Sequence, residues 1–293
     1  MLEVIIVTFK HILEMWKETN IPFDEIILTE EMVETGMDPV IIKNNMKRLV
    51  EVMITEAEKN YGKKHESLTG LTGNNASKLI NHNPKILGEF NYVATITALS
   101  TAENNASMGR IVACPTAGSC GVVPAILFAL KKVHNAKMED IVSSFIISGA
   151  IGNIIAKKST ISGAAGGCQA EIGTAAAMAS AALTYYFSKD AEKCGHAASL
   201  ALKSLMGLVC DPVGGFVEIP CVKRNASAAN VAITTAEMAL AGIESVIPFD
   251  EVVDAMYRVG KMMHEDLRET GNGGIATTPT AQKLVEDIKK RWK

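Results

Sequence analysis

Three cysteines sit where the chain must turn. Cys168 follows Gly163-Ala164-Ala165-Gly166-Gly167, while Cys210 and Cys221 bound the run Cys210-Asp211-Pro212-Val213-Gly214-Gly215-Phe216-Val217-Glu218-Ile219-Pro220-Cys221. Glycine adds no Cβ and tolerates positive φ, so such turns let a backbone approach a bulky group. Proline fixes the direction in which the chain leaves. Thiols presented this way serve metal binding, redox chemistry or plain packing. Their spacing fits no zinc-finger pattern, in which close cysteine pairs are expected. Of the other cysteines, Cys194 shares an apolar helical stripe with Ala191, Ala198, Ala201 and Leu202 and reads as core. Cys114 and Cys120 flank Pro115-Thr116-Ala117-Gly118 and either approach a metal or pack.

That turn is a second candidate for chemistry. The sequence predicts an extended segment, a tight turn over Pro115–Gly118 and a helix from about Gly121. Backbone amides at such a helix start form an anion site suited to a carboxylate. Thr116 and Ser119 add hydroxyl donors, and ordinary helix capping is the alternative. Asn104 and Asn105 lie just upstream as further polar contacts. The turn-rich run Leu68-Thr69-Gly70-Leu71-Thr72-Gly73-Asn74-Asn75-Ala76-Ser77 is either a surface loop or a polar loop facing a substrate. No histidine lies in these motifs: His196 falls in a helix, and His65 and His82 flank the Thr/Gly/Asn run. Lys157 and Lys158 complement a helix C-terminus.

The elements that must hold these residues are helical. Helices are predicted over Val4–Glu18, Asp24–Thr35 (closed by Gly36), Val40–Tyr61, Phe90–Thr101, Asp140–Ala156, Gln169–Phe187, Asp190–Val209, Ala226–Ala241, Phe249–Leu267 and Thr280–Trp292. β-Branched and aromatic alternation is scarce, and small residues crowd the middle third. The expected fold is mainly α, a compact bundle of buried Ala/Gly-rich helices with a helical N-terminal region. Residues 1–62 form that region and 63–293 the catalytic domain, or the two run together as one.

Composition narrows the function classes. With 29 basic and 32 acidic residues among 293, the net charge is −3, which argues against a nucleic-acid surface. Ile111–Leu130 carries no charge over a membrane-spanning length. It also contains Pro115, Pro124 and several polar residues, so it reads as buried core rather than a span. The start, Met1-Leu2-Glu3-Val4, does not read as a secretory signal, and a reducing cytoplasm is expected.

Taken together, the motifs are more specific than any one. Cys114-Pro115-Thr116-Ala117-Gly118-Ser119-Cys120-Gly121-Val122-Val123-Pro124-Ala125, Gly166-Gly167-Cys168-Gln169-Ala170-Glu171-Ile172-Gly173, and the run from Cys210 through Cys221 to Val222-Lys223-Arg224-Asn225 resemble the signature of the iron–sulfur L-serine dehydratases. Glu269-Thr270-Gly271-Asn272-Gly273-Gly274-Ile275-Ala276-Thr277-Thr278-Pro279-Thr280 resembles that family's closing loop. The resemblance implies the alpha subunit or catalytic domain and a [4Fe–4S] cluster held by Cys168, Cys210 and Cys221. It implies a lyase that converts L-serine to pyruvate and ammonia in amino-acid catabolism and gluconeogenesis. The open iron would act as a Lewis acid, with Thr116, Gly118, Ser119, Asn104 and Asn105 around the substrate. A C-terminal cysteine caps the fourth iron in single-chain relatives; this chain ends Arg291-Trp292-Lys293, so an open iron is expected. The family's Ser/His motif belongs to a beta portion and has no match in this sequence, so the general base is expected on a separate beta chain. Three alternatives stay open: a dehydratase of another small β-hydroxy amino acid such as L-threonine, a pyridoxal-phosphate enzyme using Lys157 or Lys158, and a non-catalytic helical subunit with structural cysteines.

Overall fold

A computed structural model describes residues 8–19 and 21–292. Its helices, in chain order, begin with α1 (Phe9–Glu18), α2 (Phe23–Thr35), α3 (Pro39–Asn60), α4 (Asn75–Ile80), α5 (Glu89–Ala106), α6 (Val122–His134) and α7 (Met138–Lys158). They continue with α8 (Gly163–Gly166), α9 (Thr174–Ser188), α10 (Ala191–Ser204), α11 (Cys221–Leu240), α12 (Phe249–Met262) and α13 (Pro279–Arg291). No β-strand occurs among the described residues, only two isolated bridges, Glu66 with Gly73 and Cys210 with Arg268. The mainly α architecture expected from the sequence is the one observed.

At the centre stands α9, wrapped by α6, α7, α10 and α11. Its alanines 175–177, 179, 181 and 182 are all fully buried. Side chains this small let neighbouring helices come close, and each dispersion contact is weak singly but large in sum. One polar tie crosses the layer, a 2.9 Å hydroxyl pair between Ser180 and Thr235 of α11. Helix α7 is the one described helix long and apolar enough to cross a membrane, yet it is largely buried against α9, α2 and α3.

The N-terminal helices lie on this core. Phe9 packs edge-on against Phe23 and Phe249. The Tyr185 hydroxyl of α9 donates to Asp24 Oδ1 of α2 at 2.6 Å, and both residues are buried. The Gly36 cap of α2 adopts φ 71°, as its position at the helix end predicts.

Several boundaries differ from the sequence pattern, three of them for a tertiary reason. Helix α5 runs past Thr101 through Ala106 because buried Glu103 accepts the amides of Asn75 and Ala76. Helix α10 stops at Ser204 instead of Val209, since the Gly207 N–H and the Leu208 carbonyl are claimed by Gln169. Helix α12 ends at Met262 because the chain peels off to pair Leu267 with Cys210. Helix α11 begins at Cys221 itself, five residues before the expected start at Ala226. Of the expected helix from Val4, residues 4–7 lie outside the described residues.

Removing the Tyr185 hydroxyl leaves the buried Asp24 carboxylate short of a donor. Tyr185→Phe is therefore expected to cost about 1–3 kcal/mol. Thermal unfolding should show a midpoint several degrees lower with unchanged helical circular dichroism; an unchanged midpoint would show the pair to be energetically silent.

Candidate active site

Cys168, Cys210 and Cys221 come from three separate turns; the Cys168 and Cys210 thiols hydrogen-bond to each other, and Cys221 lies near enough to sense the charge on Cys168. Cys168 follows α8 and opens a widened helical turn, Gln169–Gly173, that leads into α9. Wide turns of this kind recur at functional sites. Cys210 lies in the extended exit from α10, and Cys221 is the first residue of α11. All three are almost wholly buried, at 3%, 3% and 9% exposure.

The next residue in the chain, Gln169, aligns the first two. Its Nε2 donates to the carbonyls of Gly166 and Met256, at 2.9 and 3.1 Å. Its Oε1 accepts the Gly207 N–H at 2.8 Å, and its own amide donates to the Leu208 carbonyl. One buried side chain thus joins the Cys168 turn, the approach to Cys210 and α12.

Cys210 is gripped from its other side as well. Its N–H donates to Leu267 O at 2.8 Å and its carbonyl accepts from Glu269 N at 2.7 Å. Buried Asp211 pairs with Arg224 at 2.9 Å, and its second oxygen accepts the Ile275 amide, also at 2.9 Å. The Gly274 Cα faces that carboxylate so closely that a Cβ would overlap it, which explains glycine at this position of the closing loop. Arg224 also donates to Val209 O, tying α11 to the residue before Cys210.

Charge at this point is shared among the thiols. A hydrogen bond from the Cys210 thiol holds Cys168 below the ordinary thiol range despite its burial, helped further by the Arg224 guanidinium. Cys210 is pushed far up, first by that same hydrogen bond and then by burial. Burial raises Cys221 to about 12, and the charge on Cys168 adds to the effect. Glu171 is raised by burial and steadied by a hydrogen bond from Thr116. Oxygens of Glu171 and Glu269 and the Cys210 sulfur all lie within 4.8 Å of one another. Gly163 stands against this group: a Cβ there would sit 2.8 Å from Glu171 and 3.1 Å from Cys210 Sγ. Two thiols in contact and a third nearby, beside space that only glycine leaves open, form a donor set that would suit a thiolate-bound metal group.

The turn at Thr116–Ser119 borders the same space. Gly118 faces Glu171, 3.4 Å from where its Cβ would be. Thr116 and Ser119 form a reciprocal cap with hydroxyls 3.2 Å apart, and Ser119 is buried. The N–H groups of Ser119 and Cys120 are spent inside the turn, and that of Gly121 on Asn225 Oδ1. Asn225 Nδ2 in turn donates to Gly118 O and Cys221 O, fastening this turn to the Cys221 helix. Asn105 donates to Ala117 O. Asn104, buried in the last turn of α5, donates to Arg110 O and so shapes the loop rather than facing the thiols.

The remaining candidates lie elsewhere. Cys114, Cys120 and Cys194 are buried single thiols, the first two raised to about 12 by desolvation. His196 accepts the Ser245 amide, and no histidine hydrogen-bonds to a site thiol, Glu171 or Glu269 among the described residues. Lys157 pairs with Glu34, and Lys158 with Asp250 and Asp254. A cavity of about 290 Å³ between α1, α2, α3 and α7 shares no residue with the thiol site. Gln169, Glu171, Asp211, Arg224, Asn225 and Glu269 were not singled out from the sequence, although each stands within a few residues of a cysteine or in the closing loop.

Breaking a buried ion pair by removing one partner costs about 3–5 kcal/mol. Asp211→Ala should therefore lower stability by an amount of that order and free the closing loop. Limited proteolysis is expected to cut within residues 269–278 in the variant and to spare the parent chain.

Sequence comparison shows the family. Residues 18–276 match the family model described as serine dehydratase alpha chain. The chain is 44% identical over 282 residues to the probable L-serine dehydratase, alpha chain, of Bacillus subtilis, covering 95% of this chain and 94% of that protein. It is 41% identical over 287 residues to the L-serine dehydratase, alpha chain, of Peptoniphilus asaccharolyticus, with 97% and 98% covered. L-serine dehydratase TdcG of Escherichia coli is 41% identical over 181 residues, which is 61% of this chain and 40% of that protein. The match takes in all three cysteine turns and most of the closing loop that grips them, and the chain belongs to the serine dehydratase alpha chain family.

Proposed function

We propose that this chain is the alpha chain of an iron–sulfur L-serine dehydratase, a lyase that converts L-serine to pyruvate and ammonia. The observation that supports the reading is that Cys168 and Cys210, buried in separate turns, hydrogen-bond to each other with buried Cys221 close by, beside space kept free by Gly163 and Gly118. Those cysteines would hold a [4Fe–4S] cluster as thiolates. When bound, the cluster supplies a Lewis acid that eases departure of the substrate hydroxyl.

The chain's own residues shape the rest of the site. Thr116 and Gly118 form its open edge and would receive the substrate carboxylate. Ser119 and Asn105 hold that edge in place, and Asn104 fixes the loop behind it. The buried α9 and α11 exclude bulk water, which strengthens every polar contact inside. Loss of the Cα proton and of hydroxide as water leaves aminoacrylate; its imine tautomer hydrolyses to pyruvate and ammonium. With no histidine hydrogen-bonded at the thiols among the described residues, the proton acceptor is expected from a separate beta chain. Free rather than disulfide-bonded cysteines suit a reducing cytoplasm.

Replacing any one of Cys168, Cys210 or Cys221 by Ser should abolish brown absorption, bound iron and serine turnover while circular dichroism stays helical. Retention of iron in all three variants, as a scaffold with packed thiols predicts, would refute the assignment. Anaerobically purified alone, the chain should bind iron and sulfide yet turn over L-serine at a small fraction of the rate reached with a beta chain. Full turnover by the single chain would place the base within it. A higher kcat/KM for L-threonine than for L-serine would reassign the substrate.

A further inference from the structure

Lys64, His65, Glu66, Asn74, Ser77 and Lys78 line a hollow of about 500 Å³ that shares no residue with the thiol site. We propose that this hollow is a second binding site, and that its ligand is hydrogen phosphate. The inference goes beyond the L-serine reading, since it uses neither the thiols nor the turn at Thr116–Ser119.

Ser77 gives the first observation. It is only 8% exposed, and its carbonyl accepts Asn81 Nδ2, yet its hydroxyl enters no hydrogen bond among the described residues. That hydroxyl belongs to the wall of the hollow. Two more polar atoms on the same wall are unmet. Nε2 of His65 and Oδ1 of Asn74 are both buried and hydrogen-bond to nothing. Buried polar atoms are nearly always paired, so three unmet ones around one space call for an occupant.

The loop cannot satisfy them by shifting, because its backbone is fastened on several sides. Asn74 N donates to His65 O at 2.9 Å, and a Cβ at Gly73 would overlap that same oxygen. Ser107 Oγ donates to Glu66 O at 2.7 Å. Buried Glu103 accepts the Asn75 and Ala76 amides at 2.6 and 3.2 Å.

Charge and donor type select the ligand. None of the ion pairs among the described residues includes Lys64 or Lys78; the nearest along the chain joins Lys59 to Glu56. Glu66, itself exposed, is the one acidic residue of the lining, so two ammonium groups stand against one carboxylate. Lysine is a compact charge with three donors and a common partner of phosphate. Asn74 Oδ1 accepts and cannot donate, so the ligand must also bring an O–H. Hydrogen phosphate has both, charged oxygens for Lys64, Lys78 and Ser77 and a hydroxyl for Asn74. Sulfate, similar in size and charge, keeps no proton at neutral pH. Since Thr69 of the same run holds Glu218, an occupant braces the segment that leads into Cys221.

The test titrates the full chain, purified anaerobically, with inorganic phosphate and with sulfate in a calorimeter. Low ionic strength is used, where exposed ammonium groups are least screened. The parent is expected to take up one phosphate per chain and to bind sulfate about tenfold more weakly. Ser77→Ala should weaken phosphate by roughly threefold to tenfold, the worth of one hydrogen bond. Replacing Lys64 and Lys78 together by Gln should weaken both anions by about tenfold or more. Asn74→Gly suits the left-handed φ of 58° at that position and should erase the preference over sulfate, with helical circular dichroism unchanged. A parent chain without saturable phosphate binding overturns the proposal. Phosphate affinity that survives the double lysine replacement overturns it too, since the anion would then sit elsewhere, as at the thiols. Equal affinity of the parent for the two anions overturns the choice of ligand.

Discussion

The buried amide of Gln169 is the joint on which the site depends. Both ends of that amide are occupied, and each partner belongs to a different stretch of chain. A hydrogen bond in a low-dielectric interior is electrostatically strong, and an unmet polar group there is costly. The amide therefore rejects small displacements of α8, of the α10 exit or of α12. Since Cys168 precedes it directly and Cys210 lies just beyond its partners Gly207 and Leu208, the two thiols are placed together before any ligand arrives.

The second joint, Asp211 with Arg224, works on the opposite side and with charge. Asp211 divides its oxygens between the guanidinium and the Ile275 amide, so the closing loop and α11 are held by one carboxylate. Arg224 is also the cation that favours the thiolate form of Cys168. Structure and electrostatics are coupled in this residue pair. Thiols raised by burial would have to shed protons to hold the proposed metal group, so its assembly would release protons and grow more favourable with rising pH. The arginine lowers part of that cost at Cys168, leaving Cys210 and Cys221 as the harder deprotonations.

How much of this could be read from the chain follows from where each signal lives. Helices were legible because apolar periodicity is local, and α2 and α3 fall within a residue or so of their pattern. The cysteines stood out because they interrupt Ala-rich runs with glycine and proline. Gln169 and Glu171 did not, though they lie in the same motif as Cys168. A glutamine beside a turn says nothing about carbonyls at Gly166 and Met256 until the fold brings them together. For the same reason the sequence ended α12 too late and started α11 too late. At the end of α12 a long-range pairing with Cys210 decides the boundary, while the first amides of α11 turn back to the Glu218 and Pro220 carbonyls, and apolar periodicity carries no trace of either. Asn104 shows the converse: its polar type drew notice, but its amide is spent on Arg110 O.

The turn-rich run after α3 shows how far the cysteine loop reaches. Its sequence fits a mobile surface loop, yet Thr69 gives both its amide and its hydroxyl to buried Glu218, at 3.1 and 2.6 Å. The Thr69 carbonyl then accepts from Arg291 of α13 at 2.9 Å. Residues more than two hundred positions apart are thus joined through a glutamate three residues before Cys221. A carboxylate with both oxygens engaged is a poor hinge and a good clamp. Any partner that moves α13 or the Leu68–Ser77 run would therefore act on the Cys221 helix start through Glu218, with no contact to the thiols themselves.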